Sequence, residues 1–565
     1  MNRDCAIPYV KPTLLFTALL FAASLQAQTP AIAAGGVFNT ASYVPTGLPS
    51  AAIAQGSLFV VFGSNMGPSA LTSAPALPLG TTLAGTSLSV TVNGTTTKPY
   101  MVYTSAGQVG AVLPSNTPAG TGTITVTYNG ATSATQPITV AVSSVGIFTV
   151  NQAGTGPGII TTTKYAVNTL TTAATAGDVD IIWATGLGPV GPSGSEAAGT
   201  GTLASMPATF KVYVGGVSAS IVGAARSSSP GLDQIAFTVP SGVSGCHVPV
   251  VVQTNNTVSN FVTMAIGTGG VCSDPVNTGL TTTLLQQLQQ KGTVSFGAIG
   301  LSRIGSPGLS IMGFSTPGTT TDSASASFLR YTFQQYTAAT GGINVSTYGA
   351  CSVYFYTGQT ATIADPIQPV GLDAGPAITI TGPSGTKTLT AAANSPGVYA
   401  ASLGGVNGVP LFLNPGNYMI TGPGGKDVGP ISTNVTLPPA LTWTNASAIS
   451  TVNRAQGQLI TWTGGDPSGT VQISGTNALA TNNGATIIAA GFECTAQDSA
   501  GQFTIPAAVL LSMPASSTGS ITSGSFSLGT LGVSAVSAAK PFTATGLDFG
   551  YLVASSGTGQ SVTYQ

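Results

Sequence analysis

The chain has 565 residues, of which only 5% are charged, and a formal net charge of −1. Its 13 lysines and arginines stand singly, so there is no basic stripe to release counterions from a phosphate backbone, which argues against nucleic acid as a partner. Beyond the N-terminus no apolar run approaches the roughly 18 residues a spanning helix needs, and frequent short runs of Val, Ile and aromatics argue against disorder.

In chain order, residues 1–27 read as a secretory signal. Arg3 and Lys11 form the charged leader, Thr13 to Leu25 the apolar core, and Ala27 a small residue before the cut. The mature chain is expected to begin near Gln28 and to work outside the cytoplasm, secreted (periplasmic or extracellular) or at the cell surface. Loss of Cys5 with the leader leaves Cys246, Cys272, Cys351 and Cys494, which allow three pairings. Cys246–Cys272 is favoured by closeness in sequence, and Cys351–Cys494 would then tie two distant segments together.

An internal repeat organises the first half. "GSLFVVFGSNMGP" (Gly56 to Pro68) aligns without gaps on "GDVDIIWATGLGP" (Gly177 to Pro189), and "GQVGAVLPSNTPAG" (from Gly107) parallels "DQIAFTVPSGVSG" (from Asp233). Gln108 thereby meets Gln234. Within each copy, alternating runs end in Asn-Gly turns, as in "SLSVTVNG" and "TITVTYNG". The fold class expected is all-β, with tandem immunoglobulin-like sandwiches over 35–148 and 149–272.

A linker over 273–292 carries the one short helix expected, Thr281 to Lys291, with Leu284, Leu285 and Leu288 on one face. The second half returns to alternating strands. Pro438 and Pro439 would interrupt a central strand, so a β-rich domain is expected over 293–436 and a sandwich-like one over 437–565.

Little in the chain suggests chemistry. Gly186, Gly188 and Gly191 spell G-x-G-x-x-G after a strand, but Pro192, Gly194, Gly199 and Gly201 disfavour the helix a dinucleotide site requires. A structural turn is the reading adopted, and no cofactor is expected. His247, the single histidine, neighbours Cys246, yet adjacent strand residues point to opposite faces, and a structural zinc lacks its other ligands. His247 is therefore expected to be an exposed strand residue. Asp178 and Asp180 share a strand face and are expected to be solvated rather than to hold calcium. With Glu196 and Glu493 as the only glutamates, opposed catalytic carboxylates are scarce. Trp183, Trp443 and Trp462 are the tryptophans; core packing is the default for each, and Trp443 and Trp462 are the candidates for stacking on sugars.

The pattern from Gly35 to Phe148, "GGVFNTASYVPTGLPSAAIAQGSLFVVFGSNMGP…VTVNG…YTSAGQVGAVLP…VGIF", resembles an uncharacterised repeat domain of secreted acidobacterial proteins, itself similar to the immunoglobulin-like IPT/TIG fold. The segment to Gly270 resembles it more loosely. The resemblance implies the fold, export and surface binding, and it supplies no catalytic residues. The function expected is non-catalytic binding or adhesion at the cell surface, with an extracellular polysaccharide or a surface protein as partner. The competing expectations are a carbohydrate-active hydrolase using aspartates of the second half, and a purely structural spacer.

Overall fold

The computed structural model describes residues 29–192, 194–204, 210–275, 279–311, 314–316, 318–339, 349–357, 367–393, 395–406, 408–437, 439–481, 486–516 and 529–565. The leader expected over 1–27 lies outside them. No helix of the described residues is long and apolar enough to cross a membrane. The architecture is all-β.

The first repeat is a two-layer sandwich. Its main strands are β1 (Ala31–Asn39), β2 (Leu58–Ser64), β3 (Thr86–Val92), β4 (Tyr100–Thr104), β5 (Gln108–Val112), β6 (Gly120–Tyr128) and β7 (Gln136–Ala141). One layer runs β1-β2-β5-β4 and the other β7-β6-β3. Alternation along β3 and β6 turns Leu88, Val90, Ile124 and Val126 inward against Phe59, Val61 and Val109. The Asn-Gly turns form as the sequence predicts, with positive φ at Asn93, Gly94, Asn129 and Gly130.

The second repeat uses β8 (Ile160–Thr162), β9 (Val179–Thr185), β10 (Phe210–Val214), β11 (Val217–Arg226), β12 (Asp233–Thr238), β13 (Gly245–Thr254) and β14 (Val262–Ile266). The long β11 serves both layers, pairing with β10 at its start and with β12 beyond it. The repeat seen in the sequence holds at the level of register. Phe59 faces Ala111 and Phe62 faces Gln108 between β2 and β5, while the aligned Asp180 faces Phe237 and Trp183 faces Gln234 between β9 and β12.

Four short α-helices occur among the described residues: α1 (Ser195–Ala198), α2 (Thr282–Lys291), α3 (Phe333–Ala338) and α4 (Ala507–Ser512). The helix expected in the linker is α2, capped by the Thr281 hydroxyl accepting from the Leu284 amide and stopped by Gly292 at φ 76°. Leu285 and Leu288 pack with Cys246, Cys272, Phe296 and Tyr336, so α2 joins the end of the second repeat to the second half of the chain. Both favoured disulfides, Cys246–Cys272 and Cys351–Cys494, are present.

The second half is built on one large sheet. Its strands are β15 (Thr293–Ser306), β16 (Thr319–Thr332), β17 (Ala350–Thr357), β18 (Ala377–Gly382), β19 (Gly385–Ala391), β20 (Val398–Gly404), β21 (Gly416–Gly422), β22 (Ile431–Leu437), β23 (Thr470–Thr481), β24 (Thr486–Gln497), β25 (Thr530–Val536), β26 (Lys540–Phe542) and β27 (Phe549–Ser561). The order is β17-β24-β23-β25-β27-β15-β16-β20-β19-β18-β21-β22, and β26 pairs with β27. This sheet crosses the boundary expected at 436/437. β15 runs parallel to β27 from Phe296–Phe549 to Gly305–Thr558, and β17 pairs with β24. Chain-local prolines mark a break in a strand, whereas sheet partners are chosen across hundreds of residues.

The two repeats are locked by a buried ion pair. Arg226 Nε donates to Asp233 Oδ1 at 2.5 Å, with both side chains at 1% exposure or less. The same guanidinium donates to the carbonyl of Gly56 in the first repeat (2.8 Å) and of Gly188 in the second (3.1 Å). Around it, the Leu58 amide donates to Thr185 Oγ1, and the Ser115 amide donates to Glu196 Oε1. Asp233→Asn would leave a guanidinium buried without its counter-charge. Urea unfolding is expected to show a loss of about 3–5 kcal/mol, little reduced by 1 M salt because the pair is shielded from solvent.

Candidate functional site

The glycine turn after β9 is used up by the protein itself. Gly186 and Gly188 have φ of 99° and 150°, the region L side chains avoid. The Leu187 amide between them donates to Asp233 Oδ2 at 2.9 Å, and the Gly188 carbonyl accepts from Arg226. Burial pushes the Asp233 carboxyl up, while Arg226 and the amide bonds pull it back. The chain beyond the turn reaches only α1, a single helical turn of four residues between Gly194 and Gly199. The donors that a cradled phosphate would need are directed into the junction between repeats.

Core packing, the default for each tryptophan, holds for Trp443 and Trp462, which removes them as candidates for sugar stacking, and fails for Trp183. Trp443 and Trp462 face each other across one strand pair and are only 7% and 3% exposed. Their indole N–H groups donate to Asn445 Oδ1 and to the Asp498 carbonyl. Neither ring offers a face to a sugar, because both close the core beneath the large sheet. Trp183 is the half-exposed one.

β9 explains the exception. By chemistry its alternation divides into Val179, Ile181 and Trp183 on one face and Asp180, Ile182 and Ala184 on the other. The first set looks like the core, yet Ile182 and Ala184 are the core residues, and Val179, Ile181 and Trp183 lie half-buried on the outer face. Asp180 occupies the position of the wholly buried Phe59 of the first repeat. It is 1% exposed, contrary to the solvated role expected, and neither carboxylate oxygen has a hydrogen-bond partner among the described residues. Burial, reinforced by nearby Asp178, pushes its carboxyl up to about 6. Asp178 is exposed and accepts from the Thr175 amide at 2.8 Å. Among the described residues no group of three or more His, Cys, Asp or Glu could hold a metal.

Trp183 is part of a built platform. Its indole N–H donates to Thr161 Oγ1 at 3.0 Å, which fixes the ring on the sheet. Tyr165, 63% exposed, lies with its ring centroid 6.1 Å away at 47°. Tyr165 has φ 65°, a left-handed conformation that costs a non-glycine residue about 1–2 kcal/mol. The turn holding it there is closed by Thr162, whose hydroxyl accepts from the Lys164 and Ala166 amides and whose carbonyl accepts from the Tyr165 amide. Gln234 stands directly across the strand pair from Trp183. The first repeat has the same pairing as Phe62 opposite Gln108, and places Tyr43 at φ 51° just after Asn39, whose side chain accepts from the Ala41 and Ser42 amides. The signal available in the sequence was this alignment: it sets Asp180 on Phe59 and Trp183 on Phe62.

His247, expected to be exposed, is 3% exposed, because β13 is covered on both faces. Burial lowers its pKa to about 4, and its Nε2 has no partner among the described residues. Cys246 beside it is bridged and has no thiolate to offer.

No protein-family model and no curated protein matches the chain. Similar solved structures include the extracellular region of plexin A4 (11% identity over 44% of this chain and 19% of that one, TM-score 0.15). Others are a tetra-tandem repeat from the extending region of a large adhesion protein (15%, 90% and 96%, 0.12) and SGBP-B of the Bacteroides ovatus mixed-linkage glucan utilization locus, in complex with a mixed-linkage heptasaccharide (11%, 81% and 87%, 0.13). The chain spans about a fifth of the plexin region, and at these TM-scores the likenesses carry no argument about what it binds.

Asp180 and His247, both buried, pull stability in opposite directions across the same pH range. For Asp180 the folded chain keeps a proton that the unfolded chain gives up between its usual 3.8 and about 6, so folding weakens as pH rises through that window. For His247 the unfolded chain takes a proton below 6.5 that the folded chain refuses until about 4, so folding weakens as pH falls. Denaturation measured from about pH 3.5 to 8 separates them. Asp180→Asn is expected to gain about 2–3 kcal/mol at neutral pH and nothing at the acid end, and His247→Gln to remove the acid-side loss.

Proposed function

We propose that the chain is a non-catalytic, exported, multidomain β-sandwich protein that binds a neutral polysaccharide at or near the cell surface. The observation that carries this reading is the Trp183–Tyr165 platform. Trp183 is the one tryptophan turned outward, and Tyr165 is held beside it in a conformation that costs energy and adds nothing to the core. An aromatic surface with an amide next to it suits a sugar, whose C–H face stacks on rings while its hydroxyls take hydrogen bonds. The outer face of β9 and β12 continues the surface with Val179, Ile181, Ala236 and Thr238, all partly exposed and uncharged. Neutrality matters here, because a chain with 5% charged residues offers little to an anionic polymer.

The state of the carboxylates supports binding over hydrolysis. In the second half Asp322 pairs with Arg303 and also accepts from the Phe412 and Leu413 amides. Asp373, Asp427 and Asp466 accept from backbone amides of turns. Asp498 accepts from the Trp462 indole, and Asp548 from Lys291 and the Ser295 amide. Asp365 lies outside the described residues. Each of the others is engaged in holding a turn or a strand pair.

The test is retardation of the full mature chain in native gels cast with soluble neutral polysaccharides. Trp183→Ala and Tyr165→Ala are each expected to weaken retention by about tenfold, in keeping with a stacking contribution near 1 kcal/mol plus lost area, without changing urea unfolding. Retention that survives both substitutions would sink the reading, as would retention lost only with Trp443→Phe.

A further inference from the structure

The large sheet of the second half carries a cleft that the platform does not use. It opens where β25 ends at Val536 and the chain crosses Ser537 to Ala539 before resuming as β26 on the same neighbour, β27. The opening spans several strands and encloses about 260 Å³. Gln472 and Thr495 line one side, Ser325 and Ser327 the other, with Gly300 and Val553 between them. Their placement on one face follows from register, because Gln472 faces Thr495, Gly300 faces Val553, and Ser325 faces Gly300. The intervening residues Val471, Ile473 and Leu552 are buried and fall on the other face by strand alternation.

Two properties of the lining point to a ligand of one kind. No lining residue is an acid, a lysine, an arginine or a histidine, so a charged ligand would enter without compensation and at a high desolvation cost. The polar groups are hydroxyls and an amide, which both donate and accept, and they alternate with methyl groups of Val536, Val553 and alanines. The amide is oriented: Gln472 Nε2 donates to Glu493 Oε1 at 2.8 Å, leaving its carbonyl oxygen as an acceptor. The Thr495 hydroxyl, on a residue 1% exposed, has no partner among the described residues, although a buried hydroxyl ordinarily finds one. Tyr551 adds a phenol at the margin, its pKa pushed up to about 12 by burial.

We infer that this cleft is a second binding site, independent of Trp183 and Tyr165, for a single neutral sugar unit, either a free saccharide or the end of a glycan chain. The volume of about 260 Å³ lies just below the usual range for ligand sites and suits one ring rather than the length of a polymer.

The experiment uses the full mature chain and saturation-transfer NMR with glucose, galactose, mannose and N-acetylglucosamine, their methyl glycosides, and hexasaccharides of each. One or more of these is expected to receive saturation. Methyl glycosides and hexasaccharides that bind through a terminal ring indicate a chain end, whereas binding of the free sugars alone indicates a small saccharide. Gly300→Val starts a side chain into the cleft from a position where a Cβ meets only Ser325 Oγ, at 3.7 Å. It is expected to weaken binding by at least about tenfold, and Thr495→Val to weaken it less, with unfolding unchanged. Trp183→Ala is expected to leave this binding intact, which separates it from retention on polysaccharide gels. The inference is overturned if none of the sugars receives saturation, if Gly300→Val binds as the parent does, or if Trp183→Ala abolishes the signal.

Discussion

A guanidinium buried between two glycine turns sets the geometry of the first half. Arg226 has one ionic partner, Asp233, and two carbonyl partners, Gly56 and Gly188, which belong to different repeats. A buried cation satisfied in this way requires each backbone to come close at a fixed angle, and glycine is the residue that allows that approach. Asp233 in turn holds the Leu187 amide, so the turn after β9 is positioned by the residue that neutralises the arginine. The spelling G-x-G-x-x-G is thus the signature of a junction. Its amide and carbonyl groups are committed to an ion pair instead of a phosphate.

With the turn held, β9 has little freedom in which face it presents. Its last residues, Ala184 and Thr185, face the core and the junction, and the period of two carries that choice back along the strand. Trp183 and Ile181 must then lie outside and Asp180 inside. The second repeat has a carboxylate without a hydrogen-bond partner among the described residues where the first has Phe59 in its core, and an indole on its surface. Such a trade costs stability, and local rule-breaking of this kind is expected where a surface serves a purpose other than folding. The strained Tyr165 beside Trp183 is a second departure at the same place.

The second half obeys a different constraint. β15 and β27 are joined by ten consecutive parallel pairs although about 250 residues separate them. Through that central pair, the core around Trp443, Ile473 and Phe492 and the core around Phe328, Tyr399 and Tyr418 lie under one continuous sheet. The Cys351–Cys494 bridge joins directly facing residues of β17 and β24, reinforcing the edge of that sheet. Where β25 gives way to β26 the sheet splits, and the cleft is the space left by the split.

The all-β class, the two repeats with their register, the Asn-Gly hairpins, the helix at Thr282–Lys291 and the Cys246–Cys272 pair were legible because each depends on residues near one another in the chain or on a pattern that recurs, and Cys351–Cys494 then followed as the remaining pair. Alternation and turn chemistry act locally, and gapless alignment carries register from one copy to the other. The exposure of Trp183, the burial of Asp180 and His247, and the sheet that crosses 436/437 were decided only in three dimensions. Alternation says that two faces exist without saying which is covered, and a strand such as β13 can be covered on both. What covers a face is supplied by segments far away in sequence, so the inward or outward sense of these side chains is a property of the assembled sheets.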